Sequence, residues 1–220
     1  MTLAPRVKIC CISSLDEARL AIDHGAAALG LVSDMPSGPG VIGDELIAEI
    51  AAAVPPPIST FLLTARRSAD AIAEQHAVCR TSTIQLVDAV APAELQRLRR
   101  EMPLVKLVQV IHVQHEASLD EALEAARFVD ALLLDSGNPS LPVKELGGTG
   151  RVHDWQISRR IRERSPVPVF LAGGLRAANV RQAIDAVQPF GLDLCSSVRV
   201  DGRLNAARLA EFMRIVQGGG

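Results

Sequence analysis

Eight short apolar runs, each followed by a segment with helical spacing, constrain this chain more than any other feature of it. The runs are Val7–Cys11, Ala27–Val32, Ile58–Leu63, Ser82–Leu86, Leu104–Val113, Ala131–Asp135, Pro166–Ala172 and Phe190–Cys195. They are mostly apolar runs rather than alternating ones, the fifth interrupted by Lys106 and Gln109, as strands of a parallel sheet covered by helices should be. The helical segments have recognisable ends. Ser13 or Ser14 caps the first, with Glu17 near its third position, and Gly25 closes it. Asp44 caps the second, and Pro55-Pro56-Pro57 breaks it. Further helices are expected over Ala69–Ala77, Pro92–Arg100, Leu119–Phe128, Asp154–Arg164, Asn179–Val187 and Asn205–Val216.

Eight strand–helix units in 220 residues predict an α/β chain folded as one (β/α)₈ (TIM) barrel spanning residues 1–220. An open doubly wound sheet is the competing arrangement, but its first turn ordinarily carries GxGxxG, and here the first turn reads Cys10-Cys11-Ile12-Ser13.

The charge balance narrows the function classes. The formal net charge is −2, aromatic residues make up 3% of the chain, and Tyr is absent. No basic patch or aromatic platform points to nucleic acid. The opening MTLAPRVKICC has no long apolar core of a signal peptide, and no apolar run has bilayer-spanning length. A cytoplasmic protein is expected, and the oligomeric state is not legible. The four cysteines, Cys10, Cys11, Cys79 and Cys195, show no CxxC spacing or matching His partners. Neither a metal site nor a disulfide is therefore expected.

A barrel of this kind carries its chemistry at the carboxyl ends of its strands, with phosphate commonly held by the loops after strands seven and eight. Cys10 ends the first run and Asp135 the sixth. Gly173-Gly174 follows the seventh, and Cys195-Ser196-Ser197 closes the eighth. The loop after Asp135 runs into Gly147-Gly148-Thr149-Gly150, where adjacent glycines let backbone N–H groups approach an anion closely. A thiol and a carboxyl group at one mouth suit proton transfer to and from a small substrate. Strand alternation places Lys8 on the same face as Cys10. A charged Lys8 is better placed lining the barrel than in the apolar helix layer.

Over nearly its whole length the sequence resembles the phosphoribosylanthranilate isomerases of tryptophan biosynthesis. Lys8-Ile9-Cys10 resembles the family's Lys-x-Cys-Gly opening, with Cys11 at the glycine, and Ile84-Gln85-Leu86 resembles its Val-Gln-Leu segment. Leu134-Asp135, Gly147-Gly148-Thr149-Gly150 and Asp154-Trp155 are similar to its Leu-Leu-Asp, Gly-Gly-Thr-Gly and Asp-Trp block. Leu171-Ala172-Gly173-Gly174-Leu175 with Asn179-Val180 matches a further turn, and Gly191-Leu192-Asp193 precedes its usual Ser-Ser-Gly. The resemblance implies a cofactor-free, metal-free Amadori rearrangement of a phosphoribosylamine to a 1-amino-1-deoxyketose phosphate. It makes Asp135 the general acid and Cys10 the general base. Gly148, Thr149, Gly150, Gly173, Gly174, Ser196 and Ser197 become the phosphate site, and Lys8, Gln85 and Asp193 further substrate-binding residues.

The sequence departs from the family pattern at the end that would meet anthranilate. Pro39 stands where the second loop carries an Arg that pairs with the carboxylate. Val87-Asp88 replaces His-Gly after strand four, Gln109 replaces an Arg of strand five, and Arg199 replaces a Glu. Arg176 and Arg199 are the candidate replacement cations, each against the alternative of a solvated surface arginine. Two other readings stay open: a divergent enzyme acting on a different phosphosugar, and a non-catalytic phosphosugar-binding protein.

Overall fold

The structure is a computed structural model describing residues 4–138, 140–146 and 152–218. Eight parallel strands close into a barrel in chain order. They are β1 (Arg6–Ile9), β2 (Ala28–Val32), β3 (Ser59–Thr64), β4 (Thr83–Leu86), β5 (Lys106–His112), β6 (Ala131–Asp135), β7 (Val169–Leu171) and β8 (Gly191–Leu194). Between and after them run α1 (Leu15–Asp23), α2 (Asp44–Ala53), α3 (Ala69–Cys79), α4 (Pro92–Glu101), α5 (Ser118–Ala125), α6 (Trp155–Arg164), α7 (Val180–Val187) and α8 (Ala206–Val216).

All eight expected strands form, with shifted ends. The fifth and seventh are shorter than the apolar runs that predict them. Leu104 is 91% exposed and lies outside β5, because an apolar residue before a strand reads from sequence as part of it. The stretch between β8 and α8 carries no expected strand or helix. It contains a 3₁₀ turn (Ser196–Val198) and a hairpin of β9 (Arg199–Val200) with β10 (Arg203–Leu204). Asp201 and Gly202 take positive φ at its tip.

Strand alternation separates two apolar layers. Ile9, Leu29, Leu62, Ile84, Leu132, Leu171 and Leu192 face the helices. Ala28, Phe61, Val108, Leu133 and Phe170 fill the barrel interior. Phe61 and Phe170 meet edge to face, with ring centroids 6.1 Å apart. Gly191 gives Phe170 its space, since a Cβ there would stand 2.5 Å from the ring.

Several helix ends follow their expected capping residues, but α2 does not: Asp44 is its first residue, Gly43 precedes it with no side-chain cap, and the Asp44 carboxylate accepts from Gln75 Nε2 instead. The Ser14 Oγ accepts the Glu17 amide at 3.2 Å, and Gly25 turns the chain out of α1 at φ +89°. The Asp154 and Asn205 side chains cap α6 and α8 in the same way.

Candidate active site

The ladder register delivers the site. β1 lies between β2 and β8, with Lys8 opposite Asp193 and opposite Ala28. Lys8 is wholly buried, and its Nζ donates to Asp193 Oδ1 at 2.8 Å. Its ammonium also lies 5.3 Å from the centre of the Phe61 ring. Gly30 on β2 makes room, because a Cβ there would stand 2.8 Å from the Cys10 sulfur and 2.9 Å from Lys8 Nζ. A single missing side chain thus lets a thiol and an ammonium share the barrel interior.

Cys10 follows β1 and is 6% exposed. Burial pushes its thiol up to about 11, with the Lys8 charge pulling the other way and the Asp193 charge adding to the rise. Burial also opposes the Lys8 charge, but Asp193 and Cys10 outweigh it and hold the ammonium above its ordinary range. Asp135, the last residue of β6, is 7% exposed, and its Oδ1 accepts the Ser136 amide at 2.8 Å.

Cys10 and Asp135 open into one cavity at the mouth of the barrel. Gln85, Gly173, Gly174, Asp193, Ser196 and Ser197 line it too. The convergence expected from strand order is therefore present. Gly173 and Gly174 both take positive φ, at +79° and +61°, and Asn179 Nδ2 donates to the Gly174 carbonyl at 3.0 Å. Successive residues of this kind aim backbone N–H groups into a concavity that suits an anion. Gln85 Oε1 and Ser197 Oγ are buried without a hydrogen-bond partner among the described residues. Such atoms at a cavity wall are places where a polar ligand can bond. Gly148, Thr149 and Gly150 lie outside the described residues. Lys8 does not line the cavity; it reaches the site through Cys10 and Asp193.

The structure corrects two expectations. Cys11 and Cys195 form a disulfide across the ends of β1 and β8, while Cys10 and Cys79 stay free. Barrel closure makes this possible: the Cys10 amide donates to the Leu194 carbonyl at 2.8 Å, so the residues just beyond are neighbours despite a separation of 184 in sequence. Arg199 is neither solvated nor available to a ligand. It is 8% exposed, its Nη1 lies 2.8 Å from Glu17 Oε1, and its Nη2 donates to the Cys10 and Cys11 carbonyls. Arg176 is exposed and does not line the cavity.

Further residues complete the wall and its supports. Val32, Met35, Leu63, Val87, Val110 and Leu146 give the cavity an apolar side. Ser37, Gly38 and Pro39 bring the loop after β2 over the mouth, and Ser37 Oγ donates to the Lys144 carbonyl in the loop after β6. Gln109 donates to the Leu86 and Asp88 carbonyls and so fixes the turn after β4. Among the described residues no three His, Cys, Asp or Glu side chains gather as metal ligands would, and no helix is long and apolar enough to cross a membrane.

Comparison with known proteins agrees with this geometry. The family model for N-(5′-phosphoribosyl)anthranilate isomerase matches residues 7–214. The chain is 36% identical to the N-(5′-phosphoribosyl)anthranilate isomerase of Geobacter metallireducens, over 95% of this chain and 97% of that one. It superposes on the crystal structure of phosphoribosyl anthranilate isomerase from Thermotoga maritima with a TM-score of 0.82 at 29% identity, covering 97% and 99% of the two chains. A phosphoribosyl anthranilate isomerase in complex with reduced 1-(o-carboxyphenylamino)-1-deoxyribulose 5-phosphate is similar at a TM-score of 0.81 and 25% identity, over 97% and 99% of the two chains. With the family model spanning almost all of the barrel, the chain belongs to the N-(5′-phosphoribosyl)anthranilate isomerase family.

Proposed function

We propose that this barrel isomerises N-(5′-phosphoribosyl)anthranilate to the corresponding 1-(o-carboxyphenylamino)-1-deoxyribulose 5-phosphate. The observation that carries the reading is the opening of Cys10 and Asp135 into one cavity that also holds the Gly173-Gly174 turn and Ser196-Ser197. Mere binding of a phosphosugar needs neither the thiol nor the acid. Asp135 protonates the furanose ring oxygen, the C1′–O bond breaks, and a Schiff base forms. Cys10 takes the C2′ proton, and the electron pair moves to give the enolamine, which tautomerises to the ketone.

In the resting site the Cys10 thiol holds its proton. Two positive charges favour its ionisation: the Lys8 ammonium, and the cationic Schiff base that ring opening creates. Gly173, Gly174, Ser196 and Ser197 receive the phosphate, together with Gly148, Thr149 and Gly150. Gln85 Oε1 accepts from a sugar hydroxyl. A cytoplasmic setting belongs to the same reading, since doubly charged phosphosugars do not cross bilayers unaided.

The test is a fluorescence assay with freshly prepared phosphoribosylanthranilate. Turnover is expected in the wild type. In Asp135→Asn it falls by about 10²–10⁴-fold, while a sugar phosphate still raises the melting temperature. Undiminished turnover in that variant removes Asp135 as the acid. A wild type that binds sugar phosphate without turning over this substrate points to a different phosphosugar.

A further inference from the structure

Both ends of the proposed substrate are anionic, a phosphate at one and an aryl carboxylate at the other. Among the described residues the cavity wall supplies no cation for the second. Its charged lining residues, among those described, are Asp135 and Asp193, both acids. Pro39 offers no donor, and Arg199 is committed to Glu17 and to two carbonyls. An aryl carboxylate entering such a wall uncompensated would be strongly disfavoured.

Barrel order locates where that end must lie. In a ring of eight strands β4 is opposite β8 and β3 is opposite β7. A phosphate held after β7 and β8 therefore sends the far end of an extended substrate toward β3 and β4. That side is the apolar one, with Leu63 after the middle of β3 and Val87 directly after β4 lining the cavity. Next to Val87 stands Asp88, 8% exposed, with two cations: Lys144 Nζ at 2.5 Å from its Oδ2, and Arg67 Nε at 4.0 Å. Around the Asp88 carboxylate, two bases thus face one acid.

Resting on the isomerase reading of the site, we infer that Lys144 is the cation that receives the aryl carboxylate and so sets the preference for a carboxyl-bearing amine. Its backbone is held at the mouth, since its carbonyl accepts from Ser37 and Leu146 two residues on lines the cavity. Its side chain is 37% exposed and has a flexible four-carbon stem. When it turns to the ligand, Asp88 keeps the Ala89 amide at 2.9 Å and the charge of Arg67. Gln109 holds the Asp88 backbone in place throughout. The carboxylate thus exchanges with Asp88 for a cation already at the rim. Lys144, from the loop after β6, takes over the task that the loop after β2 cannot perform with Pro39.

The experiment measures Kd by calorimetry for two ligands: reduced 1-(o-carboxyphenylamino)-1-deoxyribulose 5-phosphate, and its phenylamino counterpart without the carboxyl. Lys144→Met should weaken the first by about tenfold to a hundredfold and leave the second unchanged; Lys144→Arg should keep most of the affinity for the first. Unchanged binding of the second ligand shows that the variant is folded and its phosphate site intact. Equal losses on both ligands, no loss on either, or loss of carboxyl selectivity in Arg67→Met but not in Lys144→Met would each overturn the assignment. A wild type that binds neither ligand overturns the isomerase reading, and the Lys144 assignment with it.

Discussion

Lys8 Nζ lies 2.8 Å from Asp193 Oδ1 inside the barrel, one pleat below Cys10 on the same face of β1. The pair is completely desolvated on the lysine side. Removing one member leaves a buried charge without its partner, which typically costs about 3–5 kcal/mol. Lys8→Met should therefore destabilise the fold by that amount in denaturant titration. Lys8→Met combined with Asp193→Leu should recover a large part of it, because no uncompensated charge remains. A double variant as unstable as the single one would mean that the pair contributes packing shape rather than charge compensation.

The same lysine controls the thiol. Cys10 is pushed up to about 11 mainly by burial, and Lys8 pulls it back. A group titrating there is thiol at neutral pH, and its thiolate fraction grows about tenfold per pH unit on the way up. In a Cys79→Ala background, iodoacetamide labelling of Cys10 should follow that slope between pH 7 and 10. Lys8→Met should slow labelling at every pH in this range, because losing the ammonium raises the thiol further. Rapid labelling at pH 7 with no pH dependence would show that the thiolate is already formed in the resting site. Mass spectrometry of the labelled peptide distinguishes Cys10 from the other cysteines.

The barrel was legible because each of its eight units has its own apolar run, and a parallel sheet covered by helices demands that pattern. The positions of Cys10, Asp135, Gly173 and Ser196 were legible for the same reason: each follows or ends a strand. What sequence order hides is what closure brings together. Cys11 and Cys195 meet only because β1 pairs with β8. Arg199 reads as a surface residue until the hairpin of β9 and β10 folds it over Glu17. Lys144 sits in a loop with no periodicity to place it, and its partner Asp88 is 56 residues away. In each case the missing information was a contact between distant segments rather than a local propensity.

The Glu17–Arg199 pair yields a prediction on acid stability. Burial alone would raise the Glu17 carboxyl, but hydrogen bonds from Arg199 and the Leu204 amide, the Arg199 charge and the Ser13 amide outweigh it and lower its pKa. A carboxyl lowered on folding stabilises the protein above its ordinary value near 4.5 and loses that contribution as pH falls through the folded value. Glu17→Gln should cost about 3 kcal/mol at pH 7, a fall in Tm of about 10 °C. Below pH 4 the difference between variant and wild type should shrink. A gap that stays constant from pH 7 to pH 3 would show that Glu17 acts through packing and neutral hydrogen bonds.

The disulfide between Cys11 and Cys195 closes a loop spanning 184 residues of sequence and ties the residue after Cys10 to the residue before Ser196. In the chain-entropy view, a cross-link over so long a loop contributes up to about 5 kcal/mol, with 2–4 kcal/mol more usual in practice. Reduction should therefore lower the Tm of the wild type by about 5–15 °C. Cys195→Ser should start from the lower Tm and show no further response to reductant. The variant also separates stability from ligand binding. Cys11 is held in the left-handed region at φ +62°, and a Cβ added at Gly40 would stand 2.5 Å from the Cys11 Cβ. Cutting the cross-link frees the Ser196-Ser197 turn while Gly173-Gly174 stays fixed by Asn179. Affinity for a sugar phosphate, measured well below the lower Tm, should fall in Cys195→Ser and in the reduced wild type alike. Equal affinity in oxidised and reduced protein would show that the hairpin and the Arg199 clamp hold the turn without the cross-link.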